Sequence, residues 1–266
     1  MRFMKKKSRK TGRRSPLATA ALLAVGLIIT GTAYAGFTQE RASADIDMKS
    51  PAAIEEGRKL FSANCATCHG ANAEGTPDGP TLVGVGAASV HFQVSTGRMP
   101  LAFQGPQGMV KPKQFTEEQI LQMSAYVASL APGPEIPSDK YLKADGNAAR
   151  GSELFRINCA MCHNVAAAGG ALTKGKYAPA LTGVDPAHIY EAMVTGPQNM
   201  PVFSDANLSP EDKRDIITYL KYIENEPAVG GFKLGSLGPV AEGLFIWIGA
   251  LGAIVALTVW VTAKSN

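Results

Sequence analysis

The chain has 266 residues, a formal charge of +4 and four cysteines, and 45% of its residues are hydrophobic. Eight of the basic residues precede Pro16, so the rest of the chain carries a formal −4. A mildly acidic body of this size excludes nucleic acid as an expected partner and suits two small domains plus membrane elements.

Residues 1–36 combine the basic run from Arg2 to Arg14 with an apolar stretch from Leu17 to Ala35. The pattern reads as a signal peptide with a cleavage site at Ala33-Tyr34-Ala35, or as an uncleaved anchor. The stretch is long enough to span a membrane, which tips the reading toward a retained anchor.

Residues 50–131 form the first predicted domain and residues 148–226 the second. All four cysteines lie in one pattern used twice, Cys65-Ala66-Thr67-Cys68-His69 and Cys159-Ala160-Met161-Cys162-His163. Two thiols at this spacing can add to the two vinyl groups of a haem while the adjacent imidazole reaches the iron. No thiol is left for a disulfide or a zinc cage.

The flanks repeat as well. Gly57, Leu60 and Phe61 precede the first motif as Gly151, Leu154 and Phe155 precede the second, at the same 94-residue offset as the cysteines (65 to 159). This marks an internal duplication. Pro80-Thr-Leu82-Val-Gly84 matches Pro179-Ala-Leu181-Thr-Gly183, and Thr96-Gly97-Arg98-Met99-Pro100 matches Thr195-Gly196 followed, after two inserted residues, by Met200-Pro201. Each half ends in a predicted amphipathic helix. In the first, Thr116 and Gln119 suit a capping box, with Ile120, Met123, Val127 and Leu130 on one face. In the second, Ser209 caps ahead of Pro210, and Ile216, Tyr219, Leu220 and Ile223 form the stripe.

His69 and His163 are the expected proximal iron ligands. A thioether suits the sixth position of a high-potential haem, and the repeated Thr-Gly…Met-Pro selects Met99 and Met200, with Met109 as the rival in the first half. His91 and His188 fall at non-equivalent positions of the repeat and read as partly exposed or packed side chains, with His91 kept as an alternative axial ligand. Two six-coordinate irons leave no open position for a substrate, so no catalytic residue is expected and the chain moves electrons.

Residues 132–147 read as a Pro-rich and polar linker, and residues 227–243 as a Gly-rich tether. The apolar run 244–262, with Trp247 and Trp260 near its borders and Lys264 beyond, is a predicted transmembrane helix. Gly249, Gly252, Ala253 and Ala256 would let a partner helix approach closely. Positive-inside reasoning puts both termini in the cytoplasm and residues 36–243 outside.

Each half resembles a class I cytochrome c domain, with a first helix carrying Gly-x-x-x-Phe ahead of C-x-x-C-H, a Pro-x-Leu-x-Gly loop, a Met-Pro segment and a terminal helix. The resemblance implies an all-α fold built around covalent haem, and a Pro carbonyl (Pro80, Pro179) holding each proximal imidazole. From about residue 52 onward, the segments 92–100, 175–179 and 195–201 make the chain similar to the dihaem cytochrome cc subunit of the actinobacterial cytochrome bcc complex. That resemblance implies two haem c groups at Cys65/Cys68 and Cys159/Cys162. It also implies a cell-membrane location with extracytoplasmic haem domains, and partners comprising a cytochrome b subunit, a Rieske iron–sulfur subunit and a cytochrome aa-type oxidase. The chain would serve as the electron-carrying subunit of a menaquinol:cytochrome c reductase, without a soluble small-molecule substrate of its own. The competing classes are a dihaem subunit of another membrane dehydrogenase or oxidase, and a dihaem peroxidase.

Overall fold

The computed structural model describes residues 16–37, 46–225 and 239–263. The basic residues 2–14, most of the tether and Lys264 lie outside the described residues. The chain divides into two units, Met1–Asp45 and Ile46–Asn266. In the first, α1 (Pro16–Phe37) is an apolar helix whose Thr30 and Thr32 hydroxyls bond back to Gly26 and Ile28 carbonyls at 2.8 Å, so neither is left unsatisfied in apolar surroundings.

The second unit opens with α2 (Pro51–Asn64). Ser50 accepts a hydrogen bond from the N–H of Ala53 and Pro51 occupies the first turn, where its missing donor costs nothing. A one-turn helix α3 (Ala66–His69), α4 (Gly86–Ser95) and α5 (Glu117–Leu130) follow. The expected capping box is formed: Thr116 Oγ1 accepts from the N–H of Gln119 at 3.3 Å, and Gln119 Oε1 accepts from the N–H of Thr116 at 3.0 Å. Burial on α5 exceeds a single stripe, taking in Ile120 and Met123 through Val127, because the helix is packed against α2 on one side and α4 on the other.

The second half repeats the plan with a short helix α6 (Asp139–Leu142), α7 (Ala148–Asn158), one-turn α8 (Ala160–His163), α9 (Pro186–Thr195) and α10 (Pro210–Asn225). Ser209 and Asp212 cap α10 reciprocally: Ser209 Oγ accepts from the N–H of Asp212 at 3.1 Å and Asp212 Oδ2 accepts from the N–H of Ser209 at 3.2 Å. Ile216 and Leu220 are buried as the stripe requires, with Tyr219 and Ile223 packed at its margin. Phe61 meets Tyr126 at 5.2 Å between centroids in the first half, and Phe155 meets Tyr219 at 5.6 Å in the second. One aromatic of the first helix thus locks one of the last in both.

Among the described residues, the chain departs from an all-helical plan between His163 and Pro179. Strands β1 (Gly170–Ala171) and β2 (Tyr177–Ala178) pair antiparallel around a turn in which Lys174 and Gly175 have positive φ. The stretch from histidine to proline is 16 residues here and 11 in the first half. The shorter stretch closes with a single bridge between Thr76 and Gly79, and the additional residues are absorbed as the hairpin.

The first and last helices of each half cross without space for a side chain. A methyl on Gly57 would lie 1.9 Å from the carbonyl oxygen of Gln122, and one on Gly151 would lie 1.9 Å from that of Asp215. Alanine in a helix interior is intrinsically favoured over glycine by about 1 kcal/mol, so a loss of stability would isolate the crossing. Gly57→Ala and Gly151→Ala should each destabilise the protein by about 1–3 kcal/mol or more, since the obstruction is backbone and cannot rotate away. Chemical denaturation followed by helical circular dichroism measures this, and an unchanged midpoint would contradict the close approach.

The connection between the halves is held at both ends. Ala88 N–H donates to the carbonyl of Pro134 at 3.1 Å, and the N–H groups of Gly146 and Asn147 donate to Thr218 and Asp215 on α10 at 2.9 and 2.7 Å. The halves meet where α4 lies against α9. Near the C-terminus, α11 (Pro239–Leu244), a π-helical segment (Phe245–Leu251) and α12 (Gly252–Ala263) form one apolar helix long enough to cross a membrane. The π segment, with its i to i+5 hydrogen bonds, is a detail that hydropathy does not encode.

Candidate functional site

Both attachment motifs adopt one construction. The long helix before each motif ends as Cys65 or Cys159 donates its N–H to the carbonyl of Phe61 or Phe155, at 2.8 Å in each case. A single helical turn then follows. Cys68 and His69 donate to the Cys65 carbonyl at 3.2 and 3.0 Å, and Cys162 and His163 donate to the Cys159 carbonyl at 3.1 and 2.9 Å. Positions i, i+3 and i+4 share a helix face, so two thiols and an imidazole project to one side. All four thiols are free of disulfides. Burial pushes the Cys65 and Cys159 thiols up to about 11.

The imidazoles of the two motifs are held by the same kind of partner. Nδ1 of His69 lies 2.7 Å from the Pro80 carbonyl and Nδ1 of His163 lies 2.9 Å from that of Pro179. A carbonyl can only accept, so Nδ1 carries the proton and Nε2 keeps its lone pair, which is the form that ligates a metal. Burial lowers the pKa of His163, which favours that neutral form.

The loops behind these turns repeat in conformation as well as in sequence. Ala73 and Ala167 are fully buried, both have positive φ (61° and 57°), and their carbonyls accept from Leu82 and Leu181 at 2.8 and 2.9 Å. Sequence reading missed this pair. The only available signal was the 94-residue offset itself, because alanine is not a residue that marks left-handed backbone.

Met99 packs on the cluster of Val94, Ile120 and Met123 that Cys65 also touches, and Met200 packs on the cluster that contains Cys159 and Leu154. Each candidate thioether therefore borders the core that its own motif borders. Gly97 and Gly196, both with positive φ, turn the chain ahead of these methionines. A methyl on Gly97 would lie 2.0 Å from the Lys111 carbonyl oxygen. Met109 has a different setting: it is 46% exposed, and its sulfur accepts from the Tyr177 hydroxyl at 3.6 Å. Tyr177 and Gln107 exchange a further pair of hydrogen bonds at 2.9 and 3.0 Å, so this methionine belongs to the contact between the halves.

His91 and His188 come together across that contact, which their non-equivalent repeat positions did not foretell. Nε2 of His91 lies 2.9 Å from Glu117 Oε1, and its Nδ1 lies 2.6 Å from Oε1 of Glu191. Nε2 of His188 lies 2.8 Å from Ser95 Oγ. Burial pulls the His91 pKa down, but the carboxylates of Glu117 and Glu191 outweigh it and hold it raised to about 9. Both ring nitrogens of His91 face carboxylates, an arrangement that does not suit the axial role kept open for it. The missed signal was the i, i+3 spacing of His188 and Glu191, which puts them on one face of α9.

The donor set fits covalent haem: two thiols on one helical turn, an imidazole with its metal-binding nitrogen freed, and a thioether bordering the same core. A family model described as cytochrome c matches residues 54–131, and one described as cytochrome C oxidase, cbb3-type, subunit III matches residues 146–220. The two halves are cytochrome c domains. The chain is 42% identical over 95% of its length, and 95% of the relative's, to a cytochrome bc1 complex cytochrome c subunit of Corynebacterium diphtheriae. It is 43% identical over 97% of its length, and 96% of the relative's, to the protein of that name in Mycobacterium tuberculosis. A Cbb3-type cytochrome c oxidase subunit CcoP of Azospirillum sp. is 31% identical over 57% of the chain and 56% of its own length. On these matches the chain belongs to the family of cytochrome bc1 complex cytochrome c subunits.

Proposed function

We propose that this chain is the membrane-anchored dihaem cytochrome of a quinol:cytochrome c reductase, relaying electrons from a Rieske iron–sulfur protein toward a terminal oxidase of the aa type. The observation that carries this reading is the twofold recurrence of one attachment turn, each with an imidazole fixed by a proline carbonyl and a methionine on the adjoining core. Haem bound at these turns supplies a one-electron couple. Cys65 and Cys68 hold one haem, and Cys159 and Cys162 the other. His69 with Met99, and His163 with Met200, are the residue pairs that would hold each iron. An iron with both axial positions filled has no place for peroxide, which disfavours the peroxidase reading. The shorter match to the CcoP subunit disfavours the oxidase-subunit reading against relatives that match along nearly the whole chain.

The apolar C-terminal helix supports membrane attachment beside a cytochrome b subunit, where tethering replaces diffusion with a high local concentration. The basic N-terminal segment and Lys264 support a cytoplasmic placement of both ends, with residues 36–243 outside. A tag fused after Asn266 tests both points. Pulled from solubilised membranes, the tagged protein should bring down a b-type cytochrome, and on intact protoplasts the tag should resist added protease until lysis. Recovery without b-type haem would overturn the assignment to the complex, and cleavage before lysis would overturn the topology.

A further inference from the structure

The contact between the two cytochrome c domains contains a side-chain cluster that electron carriage does not require. One ring nitrogen of His91, one of His188 and one carboxylate oxygen of Glu191 lie within 4.8 Å of one another. His91 comes from α4 of the first domain, and His188 and Glu191 come from α9 of the second. A second observation at the same place points to a ligand. Glu191 is 0% exposed, yet neither of its carboxylate oxygens receives a hydrogen bond, and the Nδ1 of His91 is likewise without one. Nδ1 and Oε1 approach to 2.6 Å out of hydrogen-bond alignment.

A fully buried carboxylate whose cationic neighbour, Nδ1 of His91, stands at 2.6 Å but out of hydrogen-bond alignment is incompletely compensated. A cation shared with the neighbouring nitrogens would complete that compensation. Two imidazoles and one carboxylate are the ligand types that zinc accepts, with the fourth position of a tetrahedron left to water. The far nitrogen of His91 already faces Glu117 at 2.9 Å, and a carboxylate on the remote nitrogen is the usual support of a metal-bound histidine, fixing the ring and raising its basicity.

We propose that His91, His188 and Glu191 bind one zinc-class divalent cation that ties the two cytochrome c domains together. Ligation displaces the proton held on His91, so uptake releases protons and weakens as the pH falls. The site uses none of the attachment cysteines or their axial residues, and a failure here leaves the electron-transfer reading untouched.

The test uses the full haem-loaded chain in detergent, stripped with a chelator, passed through a desalting column and titrated with zinc chloride. Metal analysis should find about one zinc per chain retained on a second column, in addition to iron. His188→Asn and Glu191→Gln, checked for an unchanged haem spectrum, should each weaken zinc affinity at least tenfold. Absorption spectroscopy at the zinc edge of the unsubstituted protein, which needs no variant, should show two imidazoles and oxygen donors. No retained zinc would overturn the proposal and leave the cluster as a protonated ion triad. Equal retention by wild type and both variants, or a zinc shell without imidazole, would overturn it equally.

Discussion

Replacing both Cys159 and Cys162 by alanine should leave a chain with one covalent haem where the unaltered protein should carry two, as counted by the pyridine haemochrome spectrum. The effect should reach beyond stoichiometry. A domain of under about a hundred residues buries little apolar surface on its own, so a bound macrocycle is a large share of its core. The second domain should therefore lose helical signal and become protease-sensitive, while the first keeps its haem because its own core, around Phe61, Tyr126 and Val127, is separate. In membranes, added quinol should still reduce the remaining haem, and oxygen consumption should fall to background in cells with no other oxidase. Two haems in the variant would refute the attachment assignment. Undiminished respiration would refute the relay.

Met99→Ala should abolish the weak near-infrared charge-transfer band that oxidised Met-ligated haem shows, and Met109→Ala should preserve it. The reasoning is positional, since Met99 borders the core that Cys65 borders and Met109 faces Tyr177 across the domain contact. Loss of a soft thioether removes a ligand that favours the reduced iron, so the potential of the first haem should fall by a sizeable part of the roughly 0.8 V range that axial ligands command. Transfer from a Rieske donor into the first domain should then become uphill and slow. Redox titration of the purified chain measures the shift. A band that survives in Met99→Ala and vanishes in Met109→Ala would reverse the assignment.

Much of this molecule is legible from side-chain identity, because its decisive features are local. C-x-x-C-H has its meaning within one helical turn, and Thr116 and Gln119 announce a helix start. Features that depend on two distant segments were not legible. Lys213 lies in a polar face of α10, yet it is fully buried, its ammonium donating to Asp205 and to the Leu208 carbonyl at 2.6 Å. Periodicity can report only the face of its own helix, and the loop that covers Lys213 is invisible to it. The domain contact escaped for the same reason: it joins His91, Gln107 and Met109 of one repeat to Glu191, Tyr177 and His188 of the other, and symmetry of the repeat argues against such pairings. The hairpin at Gly170–Ala178 takes up the longer stretch between His163 and Pro179, a difference in loop length that carries no strand pattern of its own.

The crossings at Gly57 and Gly151 also set an order of events during synthesis. In each domain the helix that crosses the first one is the last of that domain to be synthesised, so the attachment turn is made well before the crossing can form. Closure has to wait for a long loop to be complete, and its entropic cost falls due before any packing is gained. During that interval the paired thiols stand uncovered by the last helix. Once α5 or α10 has seated against its glycine, Cys65 is half-buried and Cys159 buried, while Cys68 stays exposed, so the second thiol of the first motif is the one that closure leaves within reach.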